Sequence, residues 1–422
     1  MHPQYQGIIF DFLRPSLEAA QKTMKPGQRS IVVTAGPGHG DNARGIAFCN
    51  ALKAALGQKA HIFLVMHFTG SMVEIDMGHY AHECGVVDSY VPLQGAPPEA
   101  VVAFCVPHCD VVFDVRPYAV VTYFNVNADH PRRRMQIREQ VAADQRLKPF
   151  QQIALAHPLD NWRLRNVGLS QWDLMSLSTG ISVSELDLLA PLECAPLPEH
   201  CPFPLAQGSD DAEKAMRGLR KRPYAVLHNS AGAGSRTKCA PPAVFEAVVA
   251  ALAEAGVVSV QIGGLGDDLI DGCEDRRGYR LPVGNRLIQD ALCVVAVEGF
   301  IPFMSAALGT PTVVLFGPTQ PHTFGLASMR QGQEVPWLSL VRLIADPTIG
   351  ARVPCPVGTC FWGGGFSWGE GWAAECPMGK QGNGSYPWCA NFLKPDEAAE
   401  QVSAFVAPLL AGRAMQVQEA VA

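Results

Sequence analysis

The first regular pattern begins at Ser30, where SIVVTAGPGHGDNARGIAFCNALKAAL reads as a β-branched run, a glycine-rich turn and apolar residues at helical spacing. That order predicts a strand, a loop and a helix. It repeats as the strand HIFLVMHF, a helix around Val73 to Cys84, the strand VDSYVPL, an alanine-rich helix and the strand CDVVFDV. Short, continuous apolar strands alternating with helices predict a parallel sheet covered on both faces.

Between about Asn125 and Leu205 the pattern weakens, and LAPLECAPLPEHCPFPL is too rich in proline for a central strand or a long helix. This stretch reads as an interdomain linker. A second α/β series then runs through PYAVLHNSAGAG, the helix PAVFEAVVAALAEAG, the strand VVSVQIGG, a helix around Leu287 to Leu292, the strand CVVAV, the helix MSAALG and the strand TVVLFGPT. After Pro354 the chain is rich in Gly, Trp and Cys up to Cys389, and an amphipathic helix from about Pro395 to Leu410 ends the pattern. The expected organisation is an α/β protein with two Rossmann-like doubly wound domains, 1–205 with the linker and 206–350, then a cysteine-rich unit over 351–392 and a terminal helix over 393–422. Ligands of such sheets bind outside the carboxyl ends of the strands, so a cleft between the two domains is the expected site.

Composition narrows the function. With 48% apolar and 17% charged residues over 422 positions, the chain has a large core and disorder is excluded as its main state. Lys plus Arg number 33 against 39 for Asp plus Glu, a net charge of −6, and no basic block exceeds Arg132-Arg133-Arg134. A nucleic-acid partner is therefore not expected. No apolar run approaches the roughly 18 residues of a membrane helix, and MHPQYQGIIFDFL lacks a cationic leader and a cleavage site. The expected location is the cytoplasm, where the 13 cysteines stay reduced and serve as core thiols or metal ligands.

Three loops carry candidate chemistry. Gly36-Pro37-Gly38-His39-Gly40-Asp41 joins a strand to a helix; it does not match the dinucleotide fingerprint, and it reads either as a tight turn or as a site. His228 to Lys238 is a second such loop, whose small residues allow close backbone approach and whose Arg236 and Lys238 suit a diphosphate. The third is CVVAVEGFIPFMSAALGTPTVVLFGPT, a strand ending at Glu298, a helix and a buried strand. Asp114, near the carboxyl end of CDVVFDV, is the first candidate general base, followed by Asp41; Asp110 begins that strand and reads as its solvated cap. His39, His228 and His322 also lie on loops, and Cys49, Cys105, Cys239 and Cys293 read as core thiols.

The third loop, with its ALGTP and FGPT segments, the loop bearing Arg236 and Lys238, and Gly263-Gly264, resembles the ADP-heptose heptosyltransferase family over most of residues 223–325. The resemblance implies the GT-B fold and an inverting transfer of sugar from a nucleotide diphosphate without a catalytic metal. It also implies donor contacts at Ser230, Gly232, Arg236, Lys238, Gly263, Glu298, Gly299, Phe300, Gly317 and Thr319, with Lys238 stabilising the departing diphosphate. This chain departs from the family at Glu298, Gly299, Phe300 and Phe303, which stand where the family has Asp, a hydroxyl residue, Gly and His.

The last constellation is Cys355-x4-Cys360-x15-Cys376-x12-Cys389, set among Trp362, Trp368, Trp372 and Trp388. Four thiolates can surround one metal tetrahedrally, and few aliphatic residues are present there to build a core instead; sulfur ligands suit iron or zinc. Together with Gly168 to Met175, this cluster is similar to the bacterial autotransporter heptosyltransferases, which carry a four-cysteine iron finger. That resemblance implies ADP-heptose as donor, Ser or Thr hydroxyls of an autotransporter passenger protein as acceptor, structural iron with zinc as second choice, and a homo-oligomer. Lipopolysaccharide as acceptor, and a catalytically silent nucleotide-sugar-binding protein, are the alternatives.

Overall fold

The computed structural model describes residues 7–36, 38–67, 72–116, 119–124, 171–179, 181, 210–230, 239–316, 337–341, 380–381, 386–387 and 394–421. The chain divides into two compact units, Met1–Pro204 and Leu205–Ala422.

In the first unit the strands are β1 Arg29–Ala35, β2 Ala60–His67, β3 Ser89–Leu93, β4 Val111–Arg116 and β5 Ala119–Phe124. The helices are α1 Arg14–Lys22, entered through a π-turn at Ile9–Leu13, then α2 His39–Leu56, α3 Met72–Glu83, α4 Pro98–Cys105 and α5 Gln171–Thr179. The sheet order is β3-β2-β1-β4-β5, parallel except for β5, which runs antiparallel to β4. The first helix and β5 were not expected. The signal for the helix was present, since Ile9, Leu13 and Leu17 repeat at helical spacing and are buried.

Two layers of side chains cover this sheet. On one face Ile9, Leu13, Leu17, Val101 and Cys105 pack on Val32, Phe63, Val65 and Val112. On the other, Phe48 of α2 meets Phe113 of β4 edge-on, with ring centroids 5.1 Å apart. Successive strand residues alternate faces, so Asp114, which pairs in register with Thr34, belongs with Val112 on the α4 side rather than beneath α2. Thr34 Oγ1 lies 3.1 Å from His67 Nε2, and all three polar residues are buried.

The second unit contains β6 Tyr224–His228, β7 Val258–Gln261, β8 Glu274–Asp275, β9 Cys293–Val297, β10 Thr312–Phe316 and β11 Trp337–Val341. They form one parallel sheet in the order β11-β10-β9-β6-β7-β8, which is the Rossmann order. Its helices are α6 Asp210–Met216, α7 Pro242–Glu254, α8 Leu281–Gln289, α9 Phe300–Ala307 and α10 Pro395–Val421. A short antiparallel pair, β12 Lys380–Gln381 and β13 Tyr386–Pro387, completes the described strands.

Helix boundaries differ from the sequence reading in three places. The helix expected near Leu287 to Leu292 starts at Leu281, where Pro282 occupies the first turn and Leu281, Val283, Leu287 and Ile288 make the buried stripe. The helix read at MSAALG begins at Phe300, again with a proline in its first turn. The last helix runs through Pro408 to Val421, because a proline removes one ladder bond without abolishing a helix held by packing. Ala398, Val402 and Val406 at four-residue spacing are fully buried against Val244, Phe245 and Val248 of α7, so this helix belongs to the core of the second unit.

Burial pushes the His67 imidazole down to about 4, against weaker opposing effects of a backbone bond at Ala96 and of Glu99. The folded protein thus binds this proton less readily than the unfolded chain, whose histidines titrate near 6.5. The stabilisation is complete above about pH 6.5 and is lost as pH falls towards 4, a change of about 3 kcal/mol. Urea unfolding at pH 7, 5.5 and 4.5 should show a falling midpoint that His67→Gln flattens; parallel curves would remove His67 as the cause.

Candidate functional site

Each sheet has one place where neighbouring strands send their connections to opposite sides: between β1 and β4 in the first unit, and between β6 and β9 in the second. Loops leaving such strands diverge, so backbone groups at the carboxyl ends are left uncovered and ligands settle there. Both positions are occupied by residues singled out from the sequence.

In the first unit β1 ends at Ala35 and α2 begins at His39, with Gly38 at φ +138° as its cap. Asp41 stands in the first turn. Arg44 Nη2 donates to Asp41 Oδ1, while Oδ2 lies against the backbone of the preceding turn: a Cβ added at Gly36 would sit 3.1 Å from it. Glycine at this position therefore makes room for the carboxylate. Asp41 keeps 20% of its side chain accessible, whereas Asp114 is fully buried. Asp110 does act as a cap: its Oδ2 accepts the Ser30 N–H at 2.8 Å, fastening the amino-terminal end of β4 to β1. Of the three carboxylates, Asp41 alone combines a strand's carboxyl end with partial exposure.

Two buried polar neighbours of this turn, Glu74 and Asn42, were not foreseen. Glu74, fully buried in the first turn of α3, places Oε1 3.6 Å from His39 Nε2. Burial lowers the proton affinity of His39, and the Glu74 charge opposes that shift. Asn42, next to Asp41, is 1% exposed, with neither side-chain amide atom hydrogen-bonded among the described residues.

In the second unit Ser230 follows β6, Gly263 follows β7, and Glu298, Gly299 and Phe300 follow β9. These three strands are adjacent, in the order β9-β6-β7. Gly263 has φ +136°, and a Cβ there would collide with the Asp267 carboxylate and crowd His228. Asp267 Oδ2 accepts the Gly264 N–H at 2.7 Å. Glu298 is fully buried, Ser230 and Phe300 are half-buried, and Gly299 is an extended cap for α9. Phe303 is buried, so this departure from the family pattern fills the core.

Gln261 fixes the rim of this sheet. Fully buried at the end of β7, it accepts the Ile270 N–H at 2.6 Å and donates to the Asp268 carbonyl at 2.8 Å and to Asn229 Oδ1 at 3.2 Å. Asn229 donates to the same carbonyl at 2.9 Å, which ties the loops after β6 and β7 together. A glutamine closing an apolar strand run was the available signal.

Gly232, Arg236, Lys238, Gly317, Thr319, His322 and the four cysteines Cys355, Cys360, Cys376 and Cys389 lie outside the described residues. Among the described residues no group of three or more His, Cys, Asp or Glu side chains could hold a metal ion, and no helix is long and apolar enough to cross a membrane. Cys49, Cys105 and Cys293 are buried thiols whose proton affinity burial raises, that of Cys293 to about 12; Cys239 is half-buried. Replacing Gln261 with Leu would leave the buried Ile270 N–H without its acceptor. The expected loss is about 2 kcal/mol in urea unfolding, and an unchanged midpoint would show that the rim does not depend on this side chain.

No protein-family model matches the chain, and no curated protein matches it. Among solved structures, the ADP-heptose LPS heptosyltransferase II of E. coli is similar at 15% identity, with 90% of this chain and 99% of that one covered and a TM-score of 0.46. The iron-containing dodecameric glycosyltransferase TibC from enterotoxigenic E. coli is similar at 14% identity, covering 92% of this chain and 78% of that one, with a TM-score of 0.45. A glycosyl transferase family 9 protein from Veillonella parvula shows 14% identity over 75% of this chain and 87% of its own, with a TM-score of 0.41.

Proposed function

We propose that this chain is an inverting GT-B glycosyltransferase that moves a heptose from ADP-heptose to Ser or Thr hydroxyls of an autotransporter passenger protein. The observation that carries the reading is that the described donor candidates stand together at the carboxyl ends of neighbouring strands. Ser230, Gly263 and Glu298-Gly299-Phe300 follow three adjacent parallel strands at the switch point of the second unit. In the sequence, Gly232, Arg236 and Lys238 follow Ser230 within eight positions, and Gly317 and Thr319 come directly after β10, itself the neighbour of β9. The heptose and the passenger acceptor rest on the sequence resemblance.

In the transfer, the bond from the anomeric carbon to the diphosphate breaks as the acceptor oxygen attacks from the opposite face. Negative charge develops on the diphosphate, and Lys238 and Arg236 stabilise it there. We assign the attacking hydroxyl to partly exposed Asp41, ahead of fully buried Asp114. The four-cysteine cluster is a donor set suited to iron or zinc, and Cys355, Cys360, Cys376 and Cys389 would hold the ion as a structural element. The enzyme works in the cytoplasm as a homo-oligomer.

Incubation with ADP-heptose and a co-expressed passenger fragment should give heptose-sized steps in the fragment's intact mass. Lys238→Ala should slow ADP release by on the order of 10²-fold. ADP release with no change in the fragment would move the acceptor to lipopolysaccharide; no ADP release at all would leave a silent binder and end the transferase reading. For the cluster, Cys376→Ser should lose bound metal and soluble yield, since three thiolates leave the site open. Purified parent protein with less than about a tenth of an equivalent of iron or zinc would exclude the metal.

A further inference from the structure

The π-turn and α1 bury Ile9, Leu13, Leu17 and Ala20 against the first sheet. Their outer side is unusual in two ways. Phe12 stands 62% exposed, and with Pro15 and Ala19, both exposed, it forms an apolar column at helical spacing of three and four residues. Phe10 leaves the helix on another side, where its ring meets Phe104 of α4 edge-on with centroids 6.2 Å apart. Beside the apolar column runs a charged one of the same spacing: Asp11, Arg14, Glu18 and Lys22, all exposed and alternating in sign.

Reversing the order of this charged column inverts every sign. A second copy of the helix laid antiparallel therefore sets Asp11 opposite Lys22 and Arg14 opposite Glu18, twice over, whereas a parallel copy in register sets like charges against each other. The same reversal brings Phe12 of each copy over Ala19 of the other, a large side chain against a small one. A two-fold interface requires this kind of self-complementary surface. We propose that the π-turn and α1 form the contact between two copies of this chain, packed antiparallel about a two-fold axis midway between Asp11 and Lys22. The proposal names a surface for the homo-oligomer of the proposed function and rests on that part of the reading alone.

The two columns have different tasks. Exposed ion pairs contribute little energy each, so the affinity comes from withdrawing Phe12 from water, and the charges fix the direction and register of the helices. Arg14 Nε donates to Glu18 Oε1 at 2.8 Å within the chain, yet the two side chains remain 56% and 53% exposed. Each can thus engage a second partner, and two helices join their pairs into one network. A lipid surface fits this helix less well. Helices that lie on membranes carry an excess of Lys and Arg on the polar side, and here two acidic residues balance two basic ones.

The test is the mass of the full-length protein in solution, followed by analytical ultracentrifugation over a dilution series. The parent should form an assembly with an even number of subunits. Phe12→Ser should weaken the α1 contact by about 10²-fold or more, since the anchor is lost from both copies. Arg14→Glu and Glu18→Arg should each weaken it by about tenfold, because each sets like charges opposite one another. The double variant carrying both charge changes should regain the parent's mass, as positions 14 and 18 are then opposite in sign again. Circular dichroism confirms the fold of each variant, and should Phe12→Ser not fold, the charge variants decide. Single charge variants that keep the parent's dissociation constant, or a double variant that fails to regain it, overturn this surface and leave the homo-oligomer standing. A parent that is monomeric at every concentration overturns the homo-oligomer and the surface together, and leaves the transferase reading to the assay of ADP release.

Discussion

Parallel pairing of β1 with β4, and of β6 with β9, is the constraint on which the rest depends. A parallel strand can be reached only by a crossover, and crossovers that leave two neighbouring strands for opposite faces cannot cover the ends they came from. The exposed strand ends that result are where a glycine-rich turn can run directly into a helix. The α2 turn at Gly38 and the α9 turn at Gly299 both occupy such ends, one in each unit.

Around these ends the protein buries polar groups in an organised way. In the second unit Gln261 satisfies a backbone donor and a backbone acceptor of the same loop, so the rim is held by a side chain that never reaches solvent. In the first unit a row of Thr34, His67 and Asp114 lies beneath α4, on the face opposite α2. The same strand end therefore carries a buried polar layer on one side and the partly exposed turn of Asp41 and His39 on the other.

Among the described residues, charge around the α2 turn is arranged in local pairs. The net charge is −6 over 422 residues, and the start of α2 pairs Asp41 with Arg44 and meets Glu74 of α3 at His39. Short-range pairing of this kind sets the behaviour of individual side chains with little long-range steering, since exposed charges are screened beyond about 10 Å.

Much of this was legible in the sequence. Apolar runs of strand length, alternating with helical stripes, identify two doubly wound units because burial on both faces leaves no other pattern for a parallel strand. The turn after β1 was legible for the same reason, as a glycine-rich interruption between a strand and a helix. What the sequence could not decide was which way a residue at a strand end points and what stands behind it. Asp114 and Asp41 look alike as carboxylates beside a strand, and only the register with Thr34 places Asp114 in the interior. Glu74 lies thirty-five positions from His39 in the chain, and their meeting depends on α3 packing against α2, a contact with no local sequence signature. Periodicity reports the face an element buries; partners across elements are fixed by tertiary packing alone.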